Sequence, residues 1–189
     1  MTTTPSEGRK LRLGVTVGRF QVPRLHYAHM RLIGEGLASA ERILILLGSP
    51  VGKPDARNPL DIKTRKLMIE SAISYDNRVA VDVVYDVAFK DDIWSNEVDA
   101  RIDEHIRHLV LVGSAHLGEV EVVMFGGRDS FLKHYIGRHR ALKFEMAQVG
   151  NISGTEDRAR AGRDPLNTSD FRAGIIYAYE NMEIPHNAR

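Results

Sequence analysis

The sequence predicts an α/β fold: five parallel strands in one sheet, with helices on both faces. Short β-rich apolar runs alternate with longer stretches at helical spacing along the chain, the pattern of parallel strands joined by helical crossovers. The second run, Arg42 to Leu47 (RILILL), is nearly unbroken Ile and Leu, as a strand buried on both faces requires. Gly18, Gly48, Asp86 and Gly126 each fall just past the carboxyl end of a predicted strand. In an open parallel sheet those ends share one edge, and ligands bind there, near the point where strand order reverses.

Each element has its own signal. Leu11 to Val17 (LRLGVTV) reads as the first strand, closed by Gly18. Tyr27 to Ala40 follows with Met30, Ile33 and Leu37 on one helical face. The strand at Arg42 to Leu47 runs into GSPVGKPDARNP, a Gly- and Pro-rich loop. Leu60 to Ser74 is helical again, and Val79 to Val84 is the third strand. From about Asp92 to Val112 the apolar positions Ile93, Val98, Ile102, Ile106 and Leu109 return to helical spacing. Glu121 to Phe125 is the fourth strand and Leu142 to Gln148 the fifth. Helical patterns after Asp129 and from Ser169 to Glu180 complete the series.

A chain of 189 residues suits one compact domain. We expect a loose tail over residues 1–10 and a single domain over residues 11–189, with no internal repeat or linker. The start, MTTTPSEGRK, is polar and lacks the apolar core of a signal peptide. No run approaches the roughly 18 apolar residues of a membrane span. The absence of cysteine removes disulfides, thiolate metal sites and thiol nucleophiles together. Lys and Arg number 26 against 25 Asp and Glu, which argues against a protein living mainly on nucleic acid. The expectation is a cytoplasmic protein with neither a membrane nor a nucleic acid as its partner.

The chemistry concentrates in GRFQVPRLHYAH, Gly18 to His29. Two histidines on a helix bind zinc well at i, i+4 with a third ligand; His26 and His29 stand at i, i+3 with none nearby. Two histidines satisfied by local hydrogen bonds at a helix start remain an alternative. A third reading begins from geometry. A strand ending at Gly18, a loop, and a helix starting near Tyr27 bring backbone N–H groups and a positive dipole end to one spot. Arg19 adds a fixed cation and the imidazoles add donors, which makes an anion site suited to a polyphosphate. No G-x-G-x-x-G follows the first strand, so this is not a dinucleotide fingerprint. GSPVGK (Gly48 to Lys53) is no phosphate loop either, because its glycines are too close and Pro54 follows Lys53.

Beyond the fifth strand, NISGTEDR (Asn151 to Arg158) stands at a predicted helix start. Together with the first segment it resembles the signature pair of the nucleotidyltransferase superfamily, H-x-G-H and I-S-x-T-x-x-R. His26 and His29 match the first motif; Ile152, Ser153, Thr155 and Arg158 match the second. Within the superfamily the chain most resembles the nicotinamide-nucleotide adenylyltransferases of the archaeal and bifunctional bacterial type. Gly18, Arg19, Phe20 and Gln21 match their G-R-F-Q; Arg57, Asn58 and Pro59 match a segment after the second strand; Asp86 and Trp94 match an Asp and a Trp after the third. There are departures. Val22 is inserted before the usual proline, and Ala28 replaces the glycine of H-x-G-H. Bifunctional members add a Nudix hydrolase domain; this sequence has no Nudix box, so we expect only the transferase half.

The resemblance implies a Rossmann-like, nucleotidyltransferase-type fold and transfer of AMP from ATP to nicotinamide mononucleotide, giving NAD and pyrophosphate. It assigns His26, His29 and Arg158 to catalysis. Gly18, Arg19, Phe20, Gly126, Asp129, Ile152, Ser153 and Thr155 join them around ATP. Arg57, Asn58, Asp86 and Trp94 would hold the mononucleotide. The nucleophile is already an anion, so positioning and charge stabilisation suffice, with no general base. Mg²⁺ is expected, bound mainly through substrate phosphates. Relatives often assemble, so a homo-oligomer is allowed. Plain structural roles stay open beside these: Ser153 as a helix cap, Trp94 as core filler, Asp86 as a turn residue, Arg57 as a solvated loop arginine. Rival functions are transfer to pantetheine phosphate, a flavin or nicotinate mononucleotide, and a nucleotide-binding sensor without turnover.

Overall fold

The computed structural model describes residues 10–22, 24–49, 58–86, 90–116, 118–127 and 131–143. The elements in chain order are β1 (Leu11–Gly18), α1 (Tyr27–Ser39), β2 (Arg42–Ser49), α2 (Ile62–Ala72), β3 (Val79–Tyr85), α3 (Asp91–Leu111), β4 (Val120–Gly126), a single 3₁₀ turn (Phe131–Lys133) and β5 (Arg140–Lys143). All four strand pairings are parallel, in the order β3-β2-β1-β4-β5. The chain winds outward from β1 to β3, then crosses back to place β4 on the other side of β1. The switch point therefore lies between the carboxyl ends of β1 and β4.

Period-two alternation in β2 divides the core. Ile43, Ile45 and Leu47 pack with Ile33 of α1 and Met68 and Ile69 of α2. Leu44 and Leu46 turn to the other face, with Trp94, Val98 and Ile102 of α3. A strand covered on both sides has no polar face, which is why RILILL carries no alternation of its own. Asp61 caps α2, its carboxylate accepting from the Thr64 N–H at 2.7 Å, so this helix starts after Leu60 rather than at it.

Two sequence expectations need correction. The fifth strand begins at Arg140 rather than Leu142; its expected continuation beyond Lys143 lies outside the described residues, as does the helical pattern from Ser169 to Glu180. Among the described residues after Asp129 the one helical element is the 3₁₀ turn, although the sequence carries a helical period there. The aromatic rings that produce this period dock onto α3 instead. Phe131 meets Trp94 edge-on with centroids 6.1 Å apart, and the Tyr135 hydroxyl donates to Asp99 at 2.5 Å. Ser95 Oγ accepts from the Ile136 N–H at 3.0 Å, and Gly137 lies so close under the Tyr135 ring that a Cβ would stand 2.4 Å from it. One turn is kept, with the His134 and Tyr135 N–H groups on the Phe131 carbonyl; beyond it the Ile136 and Arg138 N–H groups go to Ser95 and Asp99 of α3 instead. Among the described residues no helix is long and apolar enough to cross a membrane.

Two glycines of α1 separate propensity from packing. Gly34 is exposed, with nothing within 4 Å of an added Cβ, whereas at Gly36 that Cβ would sit 2.6 Å from Phe125 and 2.8 Å from Ile43. Alanine is the better helix former by about 1 kcal/mol, while overpacking costs about 1–3 kcal/mol. We expect Gly34→Ala to raise the unfolding free energy by up to about 1 kcal/mol and Gly36→Ala to lower it by about 1–2 kcal/mol, read by urea denaturation. Equal gains from both would show that Phe125 has room to move.

Candidate functional site

The four strand-end residues do line one edge, with a small correction: Gly18, Gly48 and Gly126 lie within the last two residues of β1, β2 and β4 rather than past them. Asp86 follows β3 directly and is tied back by its N–H to the Ser49 carbonyl at 2.8 Å. The chain leaves β1 through a sharp turn. Phe20 has a φ of 47°, the left-handed region that a bulky side chain seldom occupies. Its buried ring lies over Gly18, where a Cβ would stand 2.8 Å from it; only glycine allows that approach. Gln21 secures the turn from the far side, its amide giving to the Leu60 carbonyl and accepting from the Leu60 N–H, both at 2.9 Å. Val22, the inserted residue, is accommodated by burial in the core beside Phe20 and Leu25.

This turn presents Arg19. Its guanidinium donates to Asp86 Oδ2 at 2.8 Å and to Asn58 Oδ1 at 3.4 Å. Gly48 lies beneath, within 4 Å of Asp86, Arg19 and the Gly18 carbonyl by way of an added Cβ. The structure therefore brings Arg19, Asn58, Asp86, Gly18 and Gly48 into one cluster built from the ends of three strands.

His26 and His29 stand on the next segment. His26 is the N-cap of α1 in extended conformation and makes no side-chain cap bond. Its carbonyl accepts from the N–H groups of His29 and Met30, at 2.9 and 3.2 Å, which winds the first turn tightly and sets one imidazole over the other. The rings stack with centroids 3.8 Å apart and planes 26° apart. Phe20 backs the stack, its ring 5.0 Å from that of His29. The Nδ1 of His29 is shut off from solvent with no hydrogen-bond partner among the described residues. Burial first, and the neighbouring His26 second, push the His29 pKa down to about 3. The arrangement offers an anion the neutral imidazole of His29, beside that of His26 at the start of α1, and a half-exposed guanidinium from the turn before it.

Trp94 is placed differently: it is only 8% exposed and belongs to the apolar layer between the sheet and α3. Arg57, Asp129, Ile152, Ser153, Thr155 and Arg158 lie outside the described residues. Among the described residues no three His, Asp or Glu side chains group to hold a metal ion. Sequence reasoning overlooked Arg65, a fully buried arginine under the cluster. The signal was present: Arg65, Met68, Ile69 and Ala72 share one buried helical face, so a cation stands where the apolar stripe calls for a hydrophobe.

A family profile described as cytidylyltransferase-like matches residues 15–115, more than half of the chain. The chain belongs to the cytidylyltransferase-like family. Among solved structures, it is similar to a bifunctional NMN adenylyltransferase/ADP ribose pyrophosphatase from Francisella tularensis, with 22% identity and a TM-score of 0.64 over 79% of this chain and 42% of that one. A second structure of that description, complexed with AMP and a manganese ion, matches at 21% identity and a TM-score of 0.63, over 82% of this chain and 42% of that one. The NadR protein in complex with NAD and AMP-PNP matches at 16% identity and a TM-score of 0.53, over 82% of this chain and 44% of that one. This cytidylyltransferase-like chain thus spans less than half the length of these structures. At such identities the likeness is one of fold, the Rossmann-like nucleotidyltransferase fold.

His29 permits a direct check of the site geometry. Between its ordinary value of 6.5 and its folded value of about 3, the unfolded chain binds a proton there and the folded one does not. The group therefore makes stability rise with pH across that window and fall as pH drops below the ordinary value. We expect His29→Gln to remove up to about 1.4 kcal/mol per pH unit of that slope, measured by urea unfolding at a series of pH values. An unchanged slope would mean that the imidazole is not sealed from water.

Proposed function

We propose that this protein transfers AMP from magnesium-bound ATP to nicotinamide mononucleotide. The 5′-phosphate oxygen of the mononucleotide attacks the α-phosphorus; the bond to the β-phosphate breaks, pyrophosphate leaves, and NAD forms. The observation that carries this reading is a single segment leaving the carboxyl end of β1: Arg19 pairs with Asp86 and Asn58, and the adjacent Phe20 packs on His29, which stacks on His26. Family membership and the fold likeness to NMN adenylyltransferases support it.

In this reading His26 and His29 meet the ATP phosphates. His29, kept neutral by burial, is the group that charge developing at the α-phosphate would engage most strongly, because a donor held largely out of water acts in a low dielectric. Arg19 stands at the seam between the two substrates, bonded to two residues of the proposed mononucleotide side. Arg57, Asn58, Asp86 and Trp94 form that side; Gly126 and Asp129 flank the adenosine. Ile152, Ser153, Thr155 and Arg158 supply a second phosphate clamp, in which Arg158 can hold two oxygens at once. Magnesium, held mainly through the substrate phosphates, would supply Lewis-acid stabilisation of charge on the triphosphate.

The experiment is direct: the protein with ATP, Mg²⁺ and nicotinamide mononucleotide should produce NAD and pyrophosphate in equal amounts. Tight ATP binding with no product would replace this reading by a nucleotide sensor; pyrophosphate release only with nicotinate mononucleotide, a pantetheine phosphate or a flavin would move it to another acceptor. We expect His29→Gln to lower kcat by about 10²–10³. Trp94→Phe, which keeps most of the buried area, should raise KM for the mononucleotide and leave that for ATP unchanged. A loss of stability with both KM values intact would make Trp94 part of the core alone.

A further inference from the structure

We propose that Arg65 is a positioning residue for this site: a buried cation that gathers the carbonyls at the ends of β1 and β2 and thereby sets the turn carrying Arg19 and Phe20. The proposal rests on the reading of that edge as the nucleotide site. Arg65 is 1% exposed. One arm of its guanidinium donates to the Arg19 carbonyl at 2.8 Å and to the Gly48 carbonyl at 2.9 Å. The other arm donates to Ser49 Oγ at 3.2 Å, and Nε to the Asp61 carbonyl at 3.3 Å. Among the described residues its bonds thus go to three main-chain carbonyls and a hydroxyl. A buried charge with no carboxylate bonded to it is costly to keep.

What distinguishes Arg65 is the location of its acceptors. The Arg19 carbonyl belongs to the peptide that leads into Phe20. Holding that carbonyl fixes the peptide plane, and so helps to hold Phe20 at its φ of 47°. Phe20 in turn backs the imidazole of His29. The Gly48 carbonyl belongs to the residue lying under Asp86 and Arg19. Both bonds therefore act on groups of the cluster without Arg65 reaching the edge itself. They have an electrostatic effect too: carbonyl oxygens facing a polyphosphate would repel it, and Arg65 binds two of them from below. Its charge sits close enough to sense Arg19 as well as Asp61 and Asp86, and burial holds its own pKa below the usual arginine value. Lysine could not replace it, having no planar fork to span four acceptors at once.

The test uses Arg65→Lys, which keeps the charge, and Arg65→Met, which removes it. Amide hydrogen exchange read by mass spectrometry should speed up in peptides covering residues 18–22 and 47–49 in both variants, with the β3–α3 region unchanged. In steady-state NAD formation, kcat of the folded Arg65→Lys enzyme should fall by about 10²-fold, the scale of a small misplacement of reacting groups. Its affinity for magnesium-bound ATP, by calorimetry, should fall too. If Arg65→Met does not fold, Arg65→Lys carries the test alone. Exchange accelerated evenly across the sheet, with kcat per folded molecule intact, would overturn the proposal and leave Arg65 a structural residue. If the wild type makes no NAD, the functional reading fails separately. Exchange and ATP affinity of Arg65→Lys then decide the positioning role, and unchanged values overturn it.

Discussion

Strand β1 is paired along one edge with β2 and along the other with β4, and everything at the candidate site depends on that central position. A strand bonded on both sides cannot shift its register without breaking two ladders at once. Its carboxyl end is therefore a fixed point, and it lies where the strand order turns back on itself. From that end the chain leaves the sheet at its carboxyl edge, beside the carboxyl end of β4. The strained turn at Phe20 is affordable because the surroundings over-determine it: Gly18 admits the ring, Gln21 clamps Leu60, and Arg65 holds the Arg19 carbonyl. Strain of this kind persists only where neighbours enforce it.

The electrostatics of the edge form two layers. The outer layer is weakly committed. The Arg19–Asp86 pair leaves 55% of the arginine side chain exposed, and ion pairs in such settings contribute only about 0–1 kcal/mol. A guanidinium held that loosely keeps its direction but gives up little when an anion takes over some of its bonds. The inner layer is the reverse: Arg65 and the Nδ1 of His29 are both removed from water. Interactions there are strong and slow to rearrange, because each is cut off from solvent that could substitute. A rigid floor beneath an exchangeable rim is an arrangement suited to binding charged substrates and releasing charged products.

Much of the fold was legible because its signals are local. The unbroken apolar run of β2, the spacing of α1 and α3, and the glycines at strand ends all follow from side-chain direction in regular structure. The segment after Asp129 misled for a physical reason. Phe131 and Tyr135 are four residues apart, as on a helix, but their rings are taken by Trp94 and Asp99 across the chain. A tertiary partner outbid the local period. Trp94 carried two meanings in sequence, and its burial between α3 and the sheet favours the apolar one without removing the other. Arg65 went unnoticed because a cation on a helix is read as solvated unless its face is already known to be buried.

The sequence alone determined the β–α alternation, the parallel sheet, and which residue types would collect at its carboxyl edge, since these depend on hydrophobic period and on chain direction. It also marked the Gly18–His29 segment as suited to an anion, from the chemistry of its side chains. Only the tertiary structure decided which of those residues touch. Arg19 meets Asp86 and Asn58, the Nδ1 of His29 is sealed while its ring stacks on His26, and Arg65 reaches across from α2 to the ends of β1 and β2. These contacts join residues far apart in the chain, and their strength depends on how fully the surrounding core excludes water, which no local pattern of residues encodes.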